Sequence, residues 1–134
     1  MEFYRYRNGI VAQNLRQIYG PDTMVFGLNL PQLSEIAALH GKDKELGKKL
    51  WEEYKSREDR LIALYVLPPD ELDKDEVKSM IEDIRNNEQA EMLAFRLLRH
   101  LPYAHDLYEE LTKTDNLSPA ARYGVVMLGK NLGL

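Results

Sequence analysis

Four cationic residues in the carboxy-terminal half, Arg96, Arg99, Arg122 and Lys130, can hold phosphate oxygens through charge-assisted hydrogen bonds if the fold brings them to one groove. Spread over solvated helix faces, the same charges would serve mainly to keep the chain dispersed. Near the amino terminus, Tyr4-Arg5-Tyr6-Arg7 interleaves aromatic rings with guanidinium groups, a pairing that stacks on bases or anchors a protein partner. Its plainer reading is packing across a first helical turn. His100 and His105, with Asp106 and Glu109 following, are metal-ligating types, but a spacing of five departs from the i, i+4 arrangement that puts two ligands on one helix face. The run from Asp70 to Glu76 lacks the glycine and the ligand order of a calcium loop and reads as an exposed connection whose acids open a helix. No metal site is expected. No Gly-x-Ser-x-Gly elbow, His-Glu-x-x-His helix or phosphate-cradling glycine loop occurs, so no cofactor is expected and the familiar hydrolase and nucleotide-binding classes receive no support.

Composition narrows the field further. A chain of 134 residues with 44% hydrophobic and 30% charged residues is expected to form one globular domain spanning residues 1–134. The absence of cysteine removes disulfides, thiolate zinc sites and a cysteine nucleophile together. Met1-Glu2-Phe3-Tyr4-Arg5 is no secretory leader, and the longest apolar run, Leu61 to Leu67, has seven residues where a membrane span needs roughly 20. A cytoplasmic protein with no membrane partner is the expectation. The formal net charge of −4 provides no global attraction to nucleic acid and leaves only the option of a local basic face.

The elements that must position these groups read as helices. Tyr4, Val11, Leu15 and Ile18 recur at helical spacing before the Gly20-Pro21-Asp22 stop. Asn29 can cap a helix carrying Leu33, Ile36, Ala37 and His40 on one face, with Gly41 ending it. Asp43 can cap a third, striped by Leu46, Leu50, Trp51 and Tyr54. Ser56-Arg57-Glu58-Asp59 has a capping-box pattern and opens an apolar segment that Pro68-Pro69 breaks; a helix apolar on nearly every side must be enclosed by neighbours. Asp73 or Asp75 starts the next, with Val77, Met80, Ile81 and Ile84 inward, and Asn86-Asn87 makes a corner. A long helix from Glu88 buries Ala90, Leu93, Ala94, Leu97, Leu98 and Leu101 before Pro102, a shorter one carries Leu107 and Leu111, and Ser118-Pro119 opens the last, with Ala121, Val125, Leu128 and Leu132. No stretch alternates with period two. The expected fold is all-α, about seven or eight short helices stacked as antiparallel pairs.

From Phe26 to Leu67 the chain runs through Phe26-Gly27-Leu28, Pro31-Gln32-Leu33-Ser34-Glu35-Ile36-Ala37, Glu45-Leu46-Gly47-Lys48-Lys49-Leu50-Trp51 and Arg57-Glu58-Asp59-Arg60-Leu61-Ile62-Ala63-Leu64. In order and spacing these motifs resemble the HEAT-like DNA alkylation repair family, glycosylases that remove alkylated bases, and the resemblance implies a HEAT-like α-α superhelix. Each matched residue also has a structural use: a tight turn at Gly27, a first helical turn at Pro31, packing at Leu50 and Trp51. In the family a Trp-Asp-x-x-Asp segment follows, and its last aspartate is the catalytic carboxylate. The matching segment here is Asn87-Glu88-Gln89-Ala90-Glu91, so the resemblance implies Glu91 as the catalytic carboxylate. Glu91 carries its charge one methylene further out, and Asn87 replaces an aromatic wall that would hold a cationic base by about 0.5–2 kcal/mol. Ser34 stands where the family has arginine, and the chain stops where family members continue through further helices with more DNA contacts.

The expected function is therefore a non-catalytic or degenerate binding module that takes DNA or a protein partner on its inner face, with Asn87, Arg96, Arg99, Arg122 and Lys130 as its contact residues. An active glycosylase working through Glu91, with Trp51 or Tyr65 compensating for the missing tryptophan, is the alternative. A protein-binding scaffold using Val125, Val126, Met127 and Leu128, which pairs with itself or with another protein, is a third.

Overall fold

The computed structural model describes Tyr19 and residues 23–134. The helix expected over Tyr4 to Ile18, its Gly20-Pro21-Asp22 stop and the Tyr4-Arg5-Tyr6-Arg7 cluster lie outside the described residues. Among the described residues seven α-helices follow one another: α1 Leu30–His40, α2 Lys44–Glu52, α3 Arg57–Val66, α4 Lys74–Glu82, α5 Asn87–Arg96, α6 Ala104–Thr112 and α7 Pro119–Asn131. Single 3₁₀ turns form at Pro69–Glu71 and Leu98–His100. No strand forms among these residues, and one isolated bridge joins Met24 to Ser56. None of the described helices is long and apolar enough to cross a membrane. The fold is all-α, as the periodicity requires. The chain packs as two compact units divided between Leu67 and Pro68.

In the first unit the helix starts follow the caps written in the sequence. Asn29 accepts from the Gln32 backbone N–H while the Gln32 side chain accepts from the Asn29 backbone N–H, and Ser56 and Asp59 make the same reciprocal pair at α3. Asp43 caps α2 by accepting from Leu46 N–H. Leu33, Ile36 and Ala37 turn inward from α1, whereas His40 is exposed. On α2 the seam differs from the expected stripe: Gly47 and Trp51 are buried, and Leu46 and Leu50 are half-exposed. Gly47 moves the seam because α2 lies tight against the end of α3, where a Cβ at Gly47 would meet Leu67 Cγ at 2.5 Å. α3 packs against both α1 and α2 and is buried along nearly its whole length.

The opening of α3 buries charge as well as hydrocarbon. Glu58 is 0% exposed, and its carboxylate accepts from the backbone N–H groups of Phe26 (3.0 Å), Gly27 (3.1 Å) and Leu28 (3.3 Å). Arg57 donates to the same carboxylate at 2.6 Å and to Leu28 C=O at 2.9 Å. The turn that wraps the carboxylate places Gly27 at φ +80°, where a side chain would be strained. One turn along α3, the buried Arg60 guanidinium lies 4.2 Å from the Trp51 ring centroid and 4.0 Å from that of Tyr54, with its Nε donating to Trp51 C=O at 3.0 Å. Ring faces and a carbonyl replace the water that this cation gives up on burial.

The second unit is organised on α7, which packs against α4, α5 and α6. Asp73 and Glu76 form the capping box of α4, Asn86 caps α5 by accepting from Gln89 N–H, and Ser118 caps α7 ahead of Pro119. Asn116 takes a left-handed conformation, φ +68°, in the connection that leads to this cap, a position asparagine tolerates better than most residues. The long helix expected from Glu88 to Leu101 starts one residue earlier, at Asn87, and stops at Arg96. Leu97 leaves helical geometry and a 3₁₀ turn follows. Leu97 and Leu98 are both 0% exposed at this break. Tyr103 then ties the start of α6 to the strand-free segment before α4, donating to Leu72 C=O at 2.7 Å.

Replacing Glu58 by glutamine keeps the volume of the side chain but removes the charge that the buried Arg57 guanidinium meets at 2.6 Å and presents an amide N–H₂ to a cluster of donors. The expected loss is about 3–5 kcal/mol of stability, read from urea denaturation of Glu58→Gln against the parent chain. A loss below about 1 kcal/mol would mean that the loop carrying Gly27 does not depend on this carboxylate.

Candidate functional site

Three exposed residues line up on α5. Asn87, Glu91 and Phe95 recur at i, i+4 and i+8, which puts them on one stripe of the helix. The core side of the same helix is supplied by Ala90, Leu93 and Ala94, so the stripe is held outward by the residues that fix α5 in place. Close approach of α7 completes the arrangement. Gly124 lies against α5 and against Ile84 in the connection before it: a Cβ there would meet Ile84 Cδ1 at 3.0 Å and Ala90 Cβ at 3.7 Å. The neighbouring Tyr123 is thereby carried to the rim of α5, where its hydroxyl donates to Glu91 Oε1 at 2.5 Å.

This hydrogen bond changes both partners' chemistry. One Glu91 oxygen is occupied by a phenol, which draws charge from the carboxylate. The acceptor in turn holds the Tyr123 proton, and the phenol pKa is raised above its ordinary 10.0, first by that hydrogen bond, then by desolvation and by the negative charge of Glu91. The site is therefore an exposed carboxylate braced by an aromatic hydroxyl. One turn further on, Phe95 is 43% exposed and the Arg99 guanidinium stacks over its ring, 4.0 Å from the centroid, while Arg99 Nε donates to His100 Nε2 at 3.3 Å. A cation held flat on an exposed ring keeps its outer edge available to an anion or to a base.

The remaining residues singled out in the sequence fall elsewhere. Arg96 is half-buried and engaged within the protein. Arg122 is exposed on the opposite flank of α7, where it lines a cleft with α6 residues. Lys130 is exposed two turns further along α7. Asn87 and Arg99 accompany Glu91 on or beside α5, whereas Arg122 lines the α6 cleft. Trp51 is buried under Arg60, and Tyr65 lines a separate small pocket with Ser34, Ala37 and Lys42 in the first unit. His100 meets Arg99, and among the described residues no three His, Asp or Glu side chains gather closely enough to hold a metal ion.

Two contributors were missed in the sequence. Tyr123 sits between Arg122 and Gly124 in a segment read only for its apolar spacing, and Phe95 fell outside the buried seam of α5. The signal for Phe95 was present: an aromatic residue on the polar stripe of an amphipathic helix, four residues from a carboxylate and four from an arginine. Tyr123 had no such signal, since its partner is 32 residues away.

A family model described as a DNA alkylation repair enzyme matches residues 2–127. No curated protein and no solved structure matches the chain.

The coupling between the two side chains is open to direct measurement. In the ultraviolet difference titration of the parent chain minus Tyr123→Phe, the missing phenol is expected to ionise above pH 10.0. In a Glu91→Ala background the same difference should move down toward the ordinary value. Because the folded pKa is raised, the contact stabilises the fold fully below pH 10.0 and is lost as pH rises through the shifted value. An unchanged titration in the Glu91→Ala background would show that the two groups do not interact in solution.

Proposed function

The chain belongs to the DNA alkylation repair enzyme family, and on that premise we propose that it is a DNA-binding helical module that engages cationic alkylated bases with little or no capacity to excise them. The observation that carries this reading is the Tyr123 hydroxyl on the exposed Glu91 carboxylate. Glycosidic cleavage builds positive charge on the departing sugar, and a carboxylate helps most when its full charge faces that centre at a fixed distance. A phenol bound to one oxygen spreads the charge, and the glutamate side chain is longer and looser than an aspartate. Binding asks for less. An alkylated purine carries positive charge of its own, so a carboxylate beside the Tyr123 and Phe95 rings favours it over an ordinary base without cutting it. Arg99, stacked on Phe95, is placed to meet a phosphate or a neighbouring base.

The chain's overall acidity is compatible with this because recognition depends on the local face, and it predicts modest affinity with strong salt dependence. In fluorescence anisotropy, alkylated duplex should bind more tightly than plain duplex at low salt, with both curves weakening as salt is raised. Arg99→Ala should weaken both, and Glu91→Gln should reduce the difference between them. Single-turnover release of alkylated purines should stay at the level of the protein-free control. Absence of binding to either duplex at low salt would exclude the DNA-binding reading.

Catalysis is the second reading, favoured by the exposure of Glu91 on an open stripe with aromatic rings on either side. In that case Tyr123 would orient the carboxylate, purines would be released well above the control, and Glu91→Gln would abolish the release.

A further inference from the structure

The flank of α7 that faces away from Glu91 carries a different kind of surface. Here Gly129 lies under the ring of Tyr108 on α6, where a Cβ would meet Tyr108 Cε2 at 2.7 Å. Toward the start of α7 the two helices part, and the gap opens as a cleft of about 240 Å³. Its walls come from Tyr108, Leu111 and Thr112 on α6, Val125 and Val126 on α7, and Leu117 in the connection between them. Leu111 and Val125 are buried, whereas Val126 at the edge is 48% exposed. Arg122 borders the same cleft. The size falls below the roughly 300–1,000 Å³ of a typical small-molecule site and fits one inserted side chain.

Charge decides what that side chain belongs to. Arg122, Val126 and Lys130 recur at i, i+4 and i+8 and are all exposed, so an unscreened valine is bracketed by two cations along one edge of the helix. Neither cation has a side-chain ion pair among the described residues. The nearby α6 acid Glu110 is already held by Lys74 at 3.5 Å and Lys78 at 2.8 Å, and these lysines keep its carboxyl below the usual carboxylate range. A phosphate backbone would use the two cations but leave an apolar hole and an exposed valine unfilled. A peptide with an aliphatic residue between carboxylates would use all of them: the aliphatic side chain enters between Leu111 and Val125, and carboxylates meet Arg122 and Lys130. We propose that the α6–α7 cleft is a docking site for an acidic peptide segment of a partner protein, anchored by one large aliphatic side chain.

This site is separate from the Glu91 stripe, so its test is independent of DNA binding. The probe is a short fluorescein-labelled peptide rich in glutamate with one central leucine, titrated with the full chain in an anisotropy assay. Saturable binding is expected, about tenfold weaker when the leucine is replaced by alanine and at least as much weaker when the glutamates are replaced by lysines. Arg122→Glu and Val126→Asp, both at exposed positions and checked for retained helicity by circular dichroism, should each cost about tenfold or more. Arg99→Ala should leave peptide binding unchanged. Equal affinity for the leucine and alanine peptides would overturn the proposal, because only diffuse charge attraction would remain. No saturable binding by the folded chain at low salt would overturn it as well. Dimerisation in sedimentation velocity that Val126→Asp abolishes would give the cleft to a second copy and overturn it in favour of self-association. Loss of duplex binding in Arg122→Glu with peptide binding intact would give the arginine to the nucleic acid and do the same.

Discussion

A buried carboxylate with nowhere else to turn organises the amino-terminal unit. Glu58 has lost all of its water, and three consecutive backbone N–H groups together with one guanidinium take the place of that water. Such an arrangement is costly to leave incomplete, since each donor and the charge itself would be stranded in a medium of low polarity. The loop from Phe26 to Leu28 is therefore folded around the start of α3, and that loop leads directly into the Asn29 cap of α1. α1 and α2 are in turn fixed against α3, the first through its buried stripe and the second through Gly47 and the Trp51–Arg60 stack. Charge burial here specifies a position, while the apolar run from Leu61 to Leu67 joins Val25, Leu28, Leu33, Ile36 and Trp51 in the favourable burial.

The carboxy-terminal unit reaches the same end with small residues. Gly124 and Gly129 let α7 approach α5 on one flank and Tyr108 on the other. A helix that close to two neighbours delivers its side chains to both rims: Tyr123 to Glu91 on one side, Arg122 and Val126 to the α6 cleft on the other. Two chemically distinct surfaces thus arise from one helix: the first pairs a carboxylate with aromatic rings, and the second pairs an apolar volume with exposed cations.

Helix number, class and most caps were legible because they depend on interactions within a few residues. Asn29, Asp43, Ser56, Asp73 and Ser118 all serve as the sequence proposes, each accepting from a backbone N–H three residues on. The enclosure of α3 was legible too, since a segment apolar on every side has no face to give to water. What periodicity could not show is where a seam shifts or a helix stops for packing reasons. The α2 seam moved to Gly47 because of Leu67, and α5 stopped at Arg96, just ahead of the buried Leu97 and Leu98. Of the candidate site residues, Glu91 was reachable through the family resemblance, whereas its hydrogen-bonding partner was not.

By itself the sequence determined an all-helical chain, its caps and breaks, and its membership of a repair-related family. Those properties rest on short-range rules: side-chain periodicity, local capping and the order of motifs. Tertiary structure alone decided that Tyr123 occupies the Glu91 carboxylate, that Arg99 lies on Phe95, and that Arg122 lines a different surface from Asn87 and Glu91. The reason is geometric. Which flank of a helix meets which neighbour depends on how closely glycines let the backbones approach, and that closeness is settled between residues tens of positions apart.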